Sequence, residues 1–225
     1  MSCVAAYFRR EKPNARILIL DPKDKFSKQG LFEAAWSDYY PDMIEWLPPD
    51  FGGEVVAVDP QAMTLTSSDG TVHEADVANV VPPQKAGEIA HAAGLTDESG
   101  WCPVEADSMR STMSPDVFVL GDATLAGDMP KSASSANSQA KVAAMVIRSE
   151  LTDARAFPAR YRNTCWSSLA PEDAVKIGAN YQPVDGRITS FDPFISEVGE
   201  SRKLRLQTRH EADTWYDSII RDIFG

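Results

Sequence analysis

The stretch DVFVLGDATLAGDMPKSASSANSQAKVAA, residues 116–144, constrains this chain more than any other. Residues 117–120 form a short, wholly apolar run rich in β-branched side chains, the pattern of a strand buried on both faces of a parallel sheet. It stops at Gly121-Asp122-Ala123, and a loop with Gly127 and Pro130 follows. From about Ser134 the period becomes helical, with Ala136, Ala140, Val142, Ala143, Ala144, Val146 and Ile147 mostly on one side. Strand, acidic turn and helix in this order belong to an open α/β sheet, where ligands bind beyond the carboxyl ends of the strands. A carboxylate there, with a helix N-terminus a few residues on, suits a polyol and an anion. The same pattern also makes a plain turn.

The chain has 225 residues, room for one large domain or two small ones. Its net charge of −11 argues against a general nucleic-acid surface, because phosphate binding draws on clustered Lys and Arg. No apolar run approaches the length of a membrane-spanning helix, and no signal peptide is visible. The cysteines, Cys3, Cys102 and Cys165, make no CxxC, and His73, His91 and His210 do not cluster, so metal binding is not expected.

Residues 2–11 read as a helix with a basic last turn, and 16–20 as a buried strand ending at Asp21. Helix, strand and acidic residue form the second half of a βαβ dinucleotide unit; Asp21 before Pro22 serves equally as a turn residue. No GxGxxG occurs in the chain. Residues 26–46 are aromatic-rich and helical in part. A meander follows over 54–58, 64–67 and 71–75, with Asp69-Gly70 as hairpin turn, and 77–81 reads as a further buried strand. Beyond a helix ending near Glu150, 167–177 and 179–183 suggest strands, 187–194 a turn-rich segment, and 211–224 a terminal amphipathic helix. On that helix Trp215, Ile219, Ile220 and Phe224 share a face, with core packing expected for three of them.

A flavin needs a carboxylate for its ribityl hydroxyls and donors where reduction builds negative charge. Asp122 suits the first need, and the helix starting near Ser134 aims its positive end at the second. Lys131, Ser132 and Asn137 add donors, although Ser and Asn serve equally as helix caps and Lys131 as a solvated loop charge. Cys102 reads as a buried structural thiol. Cys165 admits the same reading.

VFVLGDA followed by MPKSASSANSQAKVAA closely resembles the second flavin-binding segment of the flavoprotein subunit of flavocytochrome c sulfide dehydrogenase. That family belongs to the two-dinucleotide-domain flavoproteins typified by glutathione reductase. PPQKAGEIA, GWCPVEADSMRS and the final DIFG resemble it too, so the likeness spans essentially the whole chain. The resemblance implies an α/β fold: a partial two-dinucleotide-binding-domain, glutathione-reductase-like flavoprotein with a C-terminal α+β domain. Residues 1–76 would complete the second nucleotide domain, 77–155 supply the second segment of the FAD domain, and 156–225 cap the flavin. It implies FAD held by Gly121, Asp122, Ala123, Lys131, Ser132, Ser134, Asn137 and Trp215. It implies sulfide as substrate, a dihaem cytochrome c subunit as partner, and the periplasm as location. Cys165, in NTCWS, matches a cysteine that in the family forms a redox-active disulfide over the flavin; its partner is expected before Met1, and Cys3 is not that partner. Without the GxGxxG loop the adenine half of FAD has no seat, so the chain alone is expected to be colourless. A sulfide:quinone oxidoreductase-like enzyme and a non-catalytic interaction module are the alternatives. The first needs an apolar C-terminal docking surface, and Asp213, Asp217, Arg221 and Asp222 in the tail weigh against it.

Overall fold

The computed structural model describes residues 1–225. The chain divides into two compact units interleaved in sequence: Met1–Pro82 with Ser167–Val175 and Ser196–Ala212, and Pro83–Trp166 with Lys176–Ile195 and Asp213–Gly225.

In the first unit, helix α1 (Ser2–Glu11) places Arg9 and Arg10 in its last turn, where the helix dipole favours cations. Strand β1 (Ile17–Leu20), helix α2 (Gln29–Tyr39) and strand β2 (Ile44–Leu47) form a parallel β-α-β crossover, with Ile17 opposite Ile44 and Leu20 opposite Leu47. Ala5, Ile17, Trp36, Tyr40 and Met43 pack between the helices and the strands, joined by Phe26, Phe32 and Trp46. Phe26 stacks on Trp36 at 5.9 Å and meets Trp46 edge-on at 5.3 Å. The sequence reading missed β2. It also made β1 fully buried, whereas Leu18 is exposed. Asp21 serves as a turn residue, accepting the N–H of Lys23 at 3.1 Å.

The expected meander is present as β3 (Val55–Asp59), β4 (Thr64–Ser67) and β5 (Val72–Glu74), antiparallel in that order. Its hairpin turns at Gly70, φ 87°, with Asp69 accepting the N–H of Thr71 at 2.9 Å. Residues 77–81 are not a buried strand. They form no ladder, and Val77 and Val81 are 82% and 75% exposed. An apolar run becomes a strand only when another strand pairs with it, and none does here.

The second unit holds a short helix α3 (Glu88–Ala92), strand β6 (Cys102–Pro103), strand β7 (Thr124–Leu125) parallel to it, and the long helix α4 (Ala133–Thr152). Residues 117–120, read as a buried parallel strand, make only one antiparallel bridge, from Phe118 to Arg110, and Leu120 is exposed. The parallel pairing falls four residues later, at Thr124 opposite Cys102.

Strands β8 (Tyr161–Ala170), β9 (Asp173–Val184) and β10 (Arg187–Ile195) make one sheet in the order β10-β9-β8. The break between the first two falls at Pro171-Glu172, inside the run 167–177 that was read as one strand, and Gly178, where the break was expected, lies within β9. The segment read as turn-rich is β10, whose bulge between Phe191 and Phe194 absorbs Asp192 (φ 51°) and Pro193. Helix α5 (Arg202–Phe224) starts earlier than expected. Its apolar side is no core face: Trp215 and Ile219 are half-buried, and Ile220 and Phe224 are exposed.

Met109, Val142, Ala143, Tyr161, Ala179, Tyr181 and Ile188 form the larger core of the second unit, and Tyr161 donates to the Ala106 carbonyl at 2.7 Å. A smaller cluster joins Ala86, Ala90 and Cys102 with Trp101, Val119 and Ala123. No helix is long and apolar enough to cross a membrane.

Candidate functional site

The second unit brings the acidic turn, the N-terminus of α4 and the start of β8 together. Gly121–Ala123 is one 3-10 turn entered from the extended Leu120. Gly121 takes φ 73°, a conformation open to glycine at little cost. Its N–H donates to Gln139 Oε1 at 2.7 Å, and its carbonyl accepts Thr124 Oγ1 at 2.8 Å. Asp122 is exposed.

Lys131 belongs to the frame of this turn. Its Nζ donates to the carbonyls of Asp122 and Thr124, both at 2.7 Å, and sits 3.7 Å from the centre of the Trp101 ring. Part of the side chain is exposed, yet burial of the ammonium holds its pKa below the usual lysine value, opposed by the nearby Asp122 and Cys102. Cys102 is fully buried, and burial pushes its thiol up, with Lys131 opposing.

Ser132 is the N-cap of α4: its Oγ accepts the N–H of Ser135 at 3.1 Å. The same hydroxyl donates to Asn163 Oδ1 at 2.6 Å, and Ser135 Oγ donates there at 3.3 Å. Asn163 Nδ2 reaches Cys165 Sγ at 3.4 Å. Ser134 Oγ accepts the N–H of Thr164 at 3.1 Å, so the first turn of α4 is laced to β8. Asn137 lies outside this lacing, with Nδ2 at 3.5 Å from Asp222 Oδ2, which also pairs with Lys141 at 2.7 Å. Trp215 lies against Trp166, ring centres 5.4 Å apart, and Trp166 Nε1 is buried with no acceptor. All three cysteines are free thiols, with Cys165 half-buried.

The structure thus gathers Gly121, Asp122, Ala123, Lys131, Ser132, Ser134 and Cys165, and sets Trp215 against the neighbour of Cys165. Gln139 and Asn163 are the polar residues that sequence reading missed; both are 2% exposed. Their signals were periodic. Gln139 shares the helical stripe of Ser135, Val142 and Ala143, and Asn163 lies two residues from the buried Tyr161 on a strand.

These residues fit the polyol and ring portions of a flavin. The Asp122 carboxylate is open to hydroxyl donors. The N-cap leaves the N–H groups of Ala133 and Ser134 open, at the positive end of a helix 20 residues long. The indole N–H of Trp166 lacks the acceptor that a polar ring edge would supply.

The parallel crossover, the meander, the acidic turn before a long helix and the three-stranded antiparallel sheet are those of a partial dinucleotide-binding flavoprotein of α/β class. Residues 1–82 match the model of the sulfide dehydrogenase [flavocytochrome c] flavoprotein chain, central, and residues 157–224 that of flavocytochrome c sulphide dehydrogenase, flavin-binding. The chain belongs to this family, whose flavin-binding domain marks FAD as its cofactor. It is also similar in fold to a ferredoxin reductase from Rhodopseudomonas palustris, with 21% identity and a TM-score of 0.54 over 78% of this chain and 44% of the other. A chain of the Tetrahymena thermophila mitochondrial ATP synthase assembly matches at 16% identity and TM-score 0.55, over 80% of this chain and 45% of its own. The chain spans less than half the length of these two structures.

Proposed function

We propose that this chain supplies the central and flavin-binding parts of an FAD-dependent sulfide dehydrogenase that passes electrons to a cytochrome c subunit in the periplasm. The observation that carries this reading is the linkage of Cys165, through Asn163, to the N-cap of α4, the helix that follows the Gly121–Ala123 turn. Asp122 accepts the ribityl hydroxyls. The N–H groups of Ala133 and Ser134 face negative charge, and the Trp166–Trp215 pair shields the ring from water. Cys165 is the sulfur that meets sulfide. FAD, when bound, takes up an electron pair and releases electrons singly.

One observation favours a second reading, a quinone as acceptor. The last turns of α5 expose Tyr216, Ile220, Ile223 and Phe224, an apolar strip. Asp217, Arg221 and Asp222 interrupt it, which favours the soluble acceptor. Steady-state assays with sulfide as donor, on the chain joined to a GxGxxG-bearing nucleotide segment and loaded with FAD, decide between them. Rapid reduction of cytochrome c and none of a short-chain quinone supports the first reading; the reverse supports the second.

A further inference from the structure

One buried amide joins the N-cap of α4 to the sulfur of Cys165. Asn163 Oδ1 accepts from Ser132 Oγ at 2.6 Å and from Ser135 Oγ at 3.3 Å, which occupies both lone pairs of that oxygen. Ser132 is itself held by the N–H of Ser135. The backbone at Asn163 runs close to β9, where a Cβ on Gly178 would stand 2.2 Å from the Asn163 carbonyl oxygen. What remains of the amide is its NH2 group, whose two hydrogens face the Tyr181 phenol and Cys165 Sγ, the sulfur 3.4 Å from Nδ2. Sγ is also 3.6 Å from Oδ1, but that oxygen is already taken.

We propose that Asn163 is a positioning residue for Cys165: its oxygen anchors the amide to the helix cap, and its N–H hydrogen-bonds the sulfur and favours the thiolate. A charged acceptor strengthens such a bond, and the thiolate is the reactive form of cysteine. The phenol of Tyr181 on β9 is the titratable group facing this pair. It is buried, its pKa is pushed up chiefly by burial and further by Cys165 and Asp128, with its hydrogen bond to Asn163 opposing, and so it stays neutral and supplies no counter-charge. The first turn of α4 carries no acidic residue. The role rests on the reading of Cys165 as the redox-active cysteine, but its test reads thiol chemistry and not sulfide turnover, so the two can fail separately.

The test is iodoacetamide labelling of the 225-residue chain across pH, in which a sulfur–carbon bond forms, iodide leaves and the thiol proton passes to solvent. Mass spectrometry of tryptic peptide 163–176 reads Cys165, and peptide 1–9 reads the exposed Cys3 as internal reference. Asn163→Asp keeps the shape and the acceptor but removes the N–H. Its Cys165-to-Cys3 labelling ratio near neutral pH is expected to fall about tenfold, with the labelling profile moved to higher pH. An unchanged ratio and profile in folded Asn163→Asp overturns the proposal. If that variant loses its far-UV circular dichroism, Ser132→Ala is read instead. It loosens the oxygen side of the amide, and the ratio is expected to fall about threefold; no change there overturns the proposal equally.

Discussion

The side-chain oxygen of Gln139 accepts the backbone N–H of Gly121 at 2.7 Å, so the second turn of α4 fixes where the acidic turn sits. Gln139 is buried, and no water replaces it without a cavity. Gln139→Ala leaves the Gly121 N–H unpaired and is expected to cost about 1–3 kcal/mol. Urea denaturation of the variant measures this. An unchanged midpoint would show that the bond contributes nothing to the turn.

Asp122 stands at the end of the same turn, exposed, so its replacement should leave stability alone and act on ligand binding. Asp122→Ala is expected to weaken flavin binding by about 1.5–3 kcal/mol through the loss of charged hydrogen bonds. Fluorescence titration with flavin, in a form reconstituted with a GxGxxG-bearing nucleotide segment, checks it. Equal affinity in the two proteins would remove Asp122 from the site.

Gly127 has φ 58°, and a Cβ there would lie 2.2 Å from the carbonyl oxygen of Ile188. The left-handed backbone alone costs a side-chain-bearing residue about 1–2 kcal/mol. The clash adds to this by displacing Asp128, whose carboxylate holds Arg187 at 2.7 Å and the Ser190 N–H at 3.0 Å. Gly127→Ala is therefore expected to destabilise the chain by about 2 kcal/mol or more. A thermal midpoint equal to that of wild type would contradict the packing described.

The buried tyrosines set an alkaline limit. Burial drives the Tyr161 pKa far up, with Asp107 adding to it, and burial also raises Tyr181. Tyr39 is raised first by its hydrogen bond to Asp173. A folded pKa above the unfolded one gives stability that is complete below the ordinary phenol value of about 10 and is lost as pH climbs beyond it. Stability measured in urea is expected to fall steeply above that value. Tyr161→Phe should start about 1–3 kcal/mol lower, because the Ala106 carbonyl loses its donor, and then decline less steeply. Parallel curves for the two proteins would contradict this.

The meander, the hairpin at Asp69-Gly70 and the helix after the acidic turn were legible because each rests on local rules: alternation, turn chemistry and helical period. The runs at 77–81 and 117–120 misled for a shared reason. Val, Ile and Phe report how well a residue suits a strand, but pairing is supplied by another segment, and here neither run forms a ladder. β10 was hidden by Asp192 and Pro193, which look like a turn and form a bulge. In the candidate site, position and resemblance single out Asp122 and Cys165. Gln139 and Asn163 were not legible, because polar residues read as surface until tertiary packing shows them buried.

Anaerobic sulfide titration of the chain joined to a GxGxxG-bearing nucleotide segment and loaded with FAD, followed in the visible flavin band, tests the central claim most directly. The account predicts that wild-type protein is bleached by about one equivalent of sulfide per flavin and recolours on adding oxidised cytochrome c, while Cys165→Ser retains flavin but is bleached far more slowly. A bound flavin that sulfide leaves fully oxidised would contradict it.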